Sequence, residues 1–72
     1  MKSAREMFEE LEWRMFKDTF DIIAFRYTST LSIYFYKKDK CFRIYEVFGQ
    51  FVIDVPLMKA IQKQCEELGW LE

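Results

Sequence analysis

The spacing of apolar residues changes twice along the chain, and this change constrains the fold more than any other feature. Near both ends apolar residues recur at intervals of three and four, the period of an α-helix, whereas between them they alternate, the period of a β-strand. A chain of 72 residues has room for one domain. The sequence therefore predicts a single α+β domain over residues 1–72, in the order α-β-β-β-α, whose antiparallel sheet carries both helices on one face.

The first helix begins at a recognisable capping signal. Ser3 followed by Glu6 fits the capping box, in which each side chain accepts a hydrogen bond from the other residue's backbone amide. Because no glycine or proline marks the end of this helix, it is expected to fade between Glu12 and Lys17. Its apolar stripe consists of Ala4, Met7, Phe8, Leu11 and Met15.

Three segments between the helices alternate in polarity and are rich in β-branched and aromatic residues, which is typical of strands. They cover residues 22–28, 31–36 and 41–48, and they are joined by turns at 29–30 and 37–40. The side chains expected to point toward the helices include Ile23, Phe25, Tyr27, Leu31, Ile33, Phe35, Phe42, Ile44 and Phe48.

The segment after the third strand leaves two alternatives open. Gly49 marks a bend or turn, and Gln50–Ile53 fits a short fourth strand and an extended connector equally well. The last helix follows with Asp54 as its N-cap and Pro56 in its first turn. Gly69 is expected just beyond its end, where Trp70 closes over Cys65. The buried stripe of this helix is expected to be Leu57, Ile61, Gln64, Cys65 and Leu68.

Composition argues against several classes of protein. The chain has no histidine and only two cysteines, so it cannot supply the four ligands of a structural zinc site, and we expect no metal and no cofactor. No run of apolar residues is long enough for a membrane span, and the charged start is unlike a signal peptide. We therefore expect a cytoplasmic protein with reduced cysteines. Its net charge of −1 gives no overall surplus of cations for duplex nucleic acid.

The same composition predicts that the chain is not an enzyme. Without histidine, a catalytic base would have to be a carboxylate, lysine, tyrosine or cysteine. Cys65 lies on the apolar stripe of the last helix, and Cys41 has neighbouring lysines but no partner base. Glycine-rich phosphate loops are absent, since Gly49 and Gly69 are the only glycines. We expect no catalytic, cofactor-binding or metal-binding residues.

The sheet face turned away from the helices is the first candidate interaction site. Tyrosine and arginine dominate the energetic centres of interfaces, and this face is expected to show Tyr34, Tyr36, Arg43 and Tyr45 beside Ser32. It is either a solvated face, an interface with a second copy or a host or phage protein, or a platform on which single-stranded nucleic acid stacks. The pattern favours protein contact, with a homodimer as the first choice, over nucleic acid.

Glutamates near the helix ends form the second candidate, an acidic patch. Carboxylates at a helix C-terminus oppose the helix dipole, so a run of them there is either a solvated face or a surface for a basic partner protein. The core of the patch is Glu9, Glu10, Glu66 and Glu67, with Glu12 and Glu72 next to it.

Both helix ends carry a related motif, Phe8-Glu9-Glu10-Leu11-Glu12-Trp13 and Cys65-Glu66-Glu67-Leu68-Gly69-Trp70. With the opening run Ala4–Leu11 and the segment Ile53–Trp70, the chain resembles small uncharacterised proteins of phages and prophages of Gram-positive bacteria. The resemblance implies a first helix, a β-meander and a final helix ending Glu-Glu-Leu-Gly-Trp, and it implies no known activity. The chain departs from the pattern at Glu12, where the family has glycine. We therefore expect a small phage-type accessory protein that works by protein–protein contact.

Overall fold

The structure is a computed structural model that describes residues 1–71, so Glu72 lies outside the described residues. It confirms the α+β fold class and adds one strand to the predicted order. The elements are α1 (Ala4–Glu10), β1 (Arg14–Asp18), β2 (Ile22–Thr28), β3 (Leu31–Tyr36), β4 (Cys41–Glu46) and α2 (Val55–Glu67).

The four strands form one antiparallel meander in the order β1-β2-β3-β4. The predicted strands at residues 22–28 and 31–36 are confirmed, and the third ends at Glu46 instead of Phe48. The fourth strand is β1, which precedes the others, whereas Gln50–Ile53 is an irregular connector. The sequence missed β1 because Met15 continues the helical spacing of α1 and so extends the apparent helix by a turn.

The expected fading of the first helix between Glu12 and Lys17 is wrong, because α1 ends sharply at Glu10. The amide of Trp13 donates to the carbonyl of Phe8 at 2.9 Å and that of Glu12 to Glu9 at 3.0 Å, which is the pair of bonds of a Schellman motif. This motif requires a left-handed residue, and Glu12 supplies it with φ of 71°.

The end of α2 repeats this geometry with glycine at the left-handed position. Gly69 has φ of 76°, and the amide of Trp70 donates to the carbonyl of Cys65 at 3.0 Å. The motif shared by the two helix ends is therefore one stop signal used twice, and glycine is optional in it. The predicted position of Gly69 just past α2 is confirmed.

Replacing Glu12 by glycine is expected to stabilise the fold by about 0.5–1 kcal/mol. The left-handed conformation costs a residue with a Cβ atom about 1–2 kcal/mol. Glycine avoids this cost, but it loses roughly 0.5–1 kcal/mol more in backbone entropy on folding, which offsets part of the gain. The matched control is Glu66→Gly, which makes the same change at an exposed, regular position of α2 and should destabilise by about 0.5–1 kcal/mol. Urea denaturation of both variants measures the difference, and a destabilised Glu12→Gly would contradict the strain at this position.

Both helices cover the sheet face that carries Ile23, Phe25, Ile33 and Phe35, all of them buried. Phe8 of α1 lies at the centre, with its ring stacked on Phe25 at a centroid distance of 4.0 Å. Facing the sheet from α2 are Leu57, Ala60, Ile61, Gln64 and Cys65, which confirms the predicted stripe. Leu68 and Trp70 pack against this core from its border.

The two helices lie antiparallel, and a hydrogen bond joins their ends. The Glu67 carboxylate of α2 accepts from the amide of Ala4, the first residue of α1, at 2.7 Å. The capping box predicted at Ser3 and Glu6 is present, with distances of 3.1 and 2.8 Å. Since α1 has only seven residues, its stability comes from these caps and from the packing of Phe8 rather than from helix propensity.

Candidate interaction surfaces

The sheet face away from the helices, called here the outer face, is assembled by strand register. Residues paired across strands point to the same side, so each register row can be followed from β1 to β4. One row consists of Arg14, Arg26, Ser32 and Tyr45. The next row contains Ala24, Tyr34 and Arg43, and a third contains Ile22, Tyr36 and Cys41.

A β-bulge in β1 adds an aromatic ring to the outer face. The register of β1 against β2 shifts between Met15 and Lys17, so one extra residue is accommodated there. Met15 still packs against the core, while the Phe16 ring meets Tyr34 of the outer face edge-on at 5.6 Å. Lys17 lies opposite Ala24, with its Nζ 5.9 Å from the Tyr34 ring centroid.

The structure brings together the four residues that the sequence analysis singled out, Tyr34, Tyr36, Arg43 and Tyr45. Tyr34 stacks beside Tyr36 at 6.2 Å and meets Tyr45 edge-on at 5.1 Å. The hydroxyl groups of Tyr36 and Tyr45 are hydrogen-bonded at 2.6 Å. This bond raises the pKa of Tyr36 to about 12, so its phenol stays neutral at physiological pH.

The outer face also contains residues of β1 and β2 that were not predicted to lie there. Arg26 places its guanidinium 4.2 Å from the centroid of the Phe16 ring, a cation–π contact. Arg14 is the register partner of Arg26, so two like charges lie directly across the strands. The alternation of residues 22–28 already indicates that Arg26 lies on the outer face. Arg14, Phe16 and Lys17 can be placed there only when β1 is recognised as a strand.

Charge is segregated onto the outer face. Arg14, Lys17, Arg26 and Arg43 occupy it, and the two strand carboxylates lie on the opposite side. Asp18 pairs with the core residue Ile23, and Glu46 pairs with Leu31, which packs against the core. Within the four strands, therefore, no acidic position shares the outer face. The remainder of the chain holds the other seven basic residues and all 12 acidic residues, so it is distinctly negative.

A shallow depression of about 440 Å³ lies on the outer face around Ser32. The small serine side chain leaves a gap in the register row between Arg26 and Tyr45. Ser29 and Tyr34 complete its lining. A flat group entering this depression would have a tyrosine ring on one side and a guanidinium on the other.

The residues of the predicted acidic patch are divided between the two ends of α1. Because the helices are antiparallel, Glu67 caps the start of α1, whereas Glu9 and Glu10 lie at its end. Glu9 and Glu10 also form ion pairs with Arg5 and Lys2 at 3.3 and 2.6 Å, respectively. Glu66 is exposed at the end of α2, and Glu72 lies outside the described residues. The structure thus divides these side chains between a helix cap and surface ion pairs, and a basic partner for them stays a prediction.

A second surface, not predicted from the sequence, follows β4 and is called here the connector surface. Its six apolar side chains are between 44% and 81% exposed, and Phe48, at 80%, contradicts the expectation that it faces the helices. The register that buries Phe35 and Ile33 ends with Glu46, after which the chain leaves the sheet. The surface consists of Val47, Phe48, Val52, Ile53, Val55 and Met58.

The connector surface contains almost no charge. Between residues 47 and 58 the single ionisable side chain is Asp54, whose carboxylate accepts from the amide of Leu57 at 3.0 Å as the N-cap of α2. Between the exposed residues, Phe51 turns inward and meets Trp13 edge-on at 6.2 Å. The connector is therefore attached to the core by one ring while most of its other apolar side chains face solvent.

The two cysteines lie in different elements, Cys41 in β4 and Cys65 in α2. Cys65 is buried, and burial raises the pKa of its thiol, while Cys41 is exposed at the start of β4. Among residues 1–71, no three acidic or cysteine side chains converge on a point that would hold a metal ion. In that same range no helix has the length and apolar character needed to cross a bilayer.

Comparisons of the chain with protein-family models, with curated proteins and with solved structures find no match.

Proposed function

We propose that this chain is a small phage-type accessory protein that works by protein–protein contact, as a homodimer formed through the connector surface. The observation that carries the proposal is the exposure of six apolar side chains on one nearly uncharged segment. Apolar surface of this extent is typical of interaction sites in soluble proteins. A second copy suits it because the segment has a single ionisable side chain, Asp54, whose carboxylate already accepts from the amide of Leu57, so self-contact brings together little charge.

The area of the connector surface agrees with a small dimer interface. Complete burial of such a side chain removes roughly 60–120 Å² from water, and these six are on average about two-thirds exposed. They offer roughly 250–500 Å² of apolar area per subunit. A standard interface buries about 800 Å² per partner, of which somewhat over half is apolar. A contact that buried all six side chains would therefore supply about half of the apolar area that a stable dimer needs.

The outer face, which the sequence analysis favoured for self-association, suits a second copy less well. A two-fold dimer places the same patch of both subunits in contact. Its four cations would then meet the four cations of the partner, with no carboxylate on the face to pair with them. Like charges brought together in an interface cost several kcal/mol. Charge thus favours the connector surface over the outer face for the dimer.

The resemblance of both helix ends to small phage and prophage proteins supports the phage-type assignment and a cytoplasmic location. The absence of a histidine supports a role without catalysis. Contact with a host or phage protein through the same apolar side chains is the alternative to self-association.

The test is the oligomeric state of a Phe48→Glu variant, measured by light scattering and sedimentation over a range of concentrations. Wild type is expected to be a dimer that dissociates on dilution. Phe48→Glu removes an apolar contact and places a charge in the interface, which should weaken the dimer by roughly 100-fold or more. Val52→Glu, at another exposed position of the same surface, should act in the same direction.

Phe20→Glu is the matched control, because Phe20 is 89% exposed in the β1–β2 turn and lies outside the connector surface. It should leave the dimer unchanged, and all three variants should melt close to wild type. A wild-type chain that remains monomeric at high concentration would refute the dimer. Dissociation by Tyr36→Glu with no effect of Phe48→Glu would instead move the interface to the outer face.

A further inference from the structure

We infer that the outer face is a binding site for single-stranded nucleic acid, with the cations contacting phosphates and Tyr45 stacking on a base. This activity goes beyond the proposed dimer, because it uses the cationic and aromatic outer face, whereas the dimer uses the apolar connector surface. Charge complementarity selects the ligand class. Arg14, Lys17, Arg26 and Arg43 gather on a face without strand carboxylates, although the chain as a whole is slightly acidic.

Two of these cations are placed where they repel each other. Arg14 and Arg26 are directly opposite on neighbouring strands, where like charges destabilise a sheet. Neither is among the side chains that form an ion pair within residues 1–71, although acidic residues outnumber basic ones in the chain. A phosphate bound between the two guanidinium groups would pair with both and relieve their repulsion.

The aromatic rings are arranged so that one of them is free to stack. Tyr34 is packed between Phe16, Tyr36 and Tyr45, so it supports the others. Tyr45 is 44% exposed, and its hydroxyl is fixed by the bond to Tyr36. A ring held in place in this way loses little entropy when a base stacks on it. The depression at Ser32 is lined by both Tyr45 and Arg26, so a base that occupied it would lie near a cation for its phosphate.

The shape of the face selects a single strand over a duplex. The four strands span about 14 Å between β1 and β4, and both helices pack on the opposite side of the sheet, so neither can enter a groove from this face. Bases inside a duplex are stacked on one another and do not offer their faces, whereas the bases of a single strand do. Stacking on tyrosine is tolerant of sequence, so we expect little base preference.

The first experiment measures binding of a labelled oligothymidylate of about ten nucleotides, within the usual footprint of small single-strand binding domains. Affinity should fall with salt, with a log–log slope near −2.8 if all four cations contact phosphates. Lys17→Gln should make this slope shallower by about 0.7. Lys59→Gln, which makes the same charge change on the exposed side of α2, should leave it unchanged.

The second experiment tests the stacking ring. Tyr45→Ala should weaken binding by about 5- to 150-fold, and Tyr45→Leu, which keeps the apolar cover of the sheet, should weaken it similarly. Tyr27→Ala is the matched control, since Tyr27 is 47% exposed but packs on Trp13 on the helix side. A Tyr27→Ala variant should bind the oligonucleotide as wild type does. Thermal melting of each variant establishes that the fold is retained.

Three outcomes would overturn the inference. The first is that wild type ignores the oligonucleotide at low salt. The second is that polyphosphate competes as well as the oligonucleotide and Tyr45→Leu has no effect, which would reduce the face to general anion attraction. The third is tighter binding to the matching duplex. Because Phe48→Glu lies outside the outer face, that variant should bind the oligonucleotide normally, and loss of the dimer and loss of this activity are separately detectable.

Discussion

Phe8→Ala is expected to destabilise the protein by about 3–5 kcal/mol, the cost of replacing a buried phenylalanine by alanine. Phe8 is fully buried, stacks on Phe25 at 4.0 Å and meets Phe35 edge-on at 6.2 Å. It is the ring through which the short helix α1 is attached to the sheet. A domain of this size has a total stability of roughly 4–11 kcal/mol, so the variant should be partly or wholly unfolded at room temperature.

Phe20→Ala is the control for this prediction, because it deletes the same atoms from a side chain that is 89% exposed. Its stability should lie within about 0.5 kcal/mol of wild type. Urea denaturation followed by far-ultraviolet circular dichroism measures both variants. If Phe8→Ala melted like Phe20→Ala, α1 would have to dock by contacts other than the aromatic cluster.

Ile61→Ala is expected to cost about 2–5 kcal/mol, because it removes buried methylene groups and leaves a cavity between α2 and the sheet. Ile61 is 7% exposed and belongs to the same core cluster as Leu57 and Cys65. Gln62→Ala changes the adjacent, exposed position and should be nearly neutral. Thermal melting separates the two variants, and a neutral Ile61→Ala would mean that α2 turns a different side toward the core.

These two substitutions remove side chains of the two helices from one core, and their effects should be less than additive. Phe8 and Ile61 both pack on the face formed by β2 and β3, so removing either loosens the environment of the other. The outer face and the connector surface lie outside this core. Variants there are therefore expected to change association and binding while the free energy of unfolding changes little.

Local signals were sufficient to predict α2 and the two central strands. The proline, the N-cap Asp54 and Gly69 bound α2 at both ends, and alternation defined residues 22–28 and 31–36. Each of these signals depends on nearby residues only, so it is readable without the fold. Alternation also predicted that one sheet face carries Tyr34, Tyr36, Arg43 and Tyr45. The strand register confirms that they share this face.

The end of α1 was predicted too late, although a local signal marks it. Glu12 adopts a left-handed conformation that glycine would adopt at less cost, so its residue type conceals the stop. The comparison of the two helix ends contained the missing information, because the Leu-x-aromatic order after Glu-Glu is the same in both. The hydrogen bonds of Trp13 and Trp70 show that this order of residues forms the same turn at both helix ends.

By itself, the sequence determined the fold class, the helix starts, the central strands and the alternation that separates the two faces of the sheet. Only the tertiary structure decided that Arg14–Asp18 pairs with β2 as an edge strand, that a bulge there lets the Phe16 ring join the outer face, and that the connector leaves its apolar side chains in solvent. The physical reason is that periodicity and capping are properties of neighbouring residues, whereas edge pairing, bulges and exposure depend on which distant segment lies alongside.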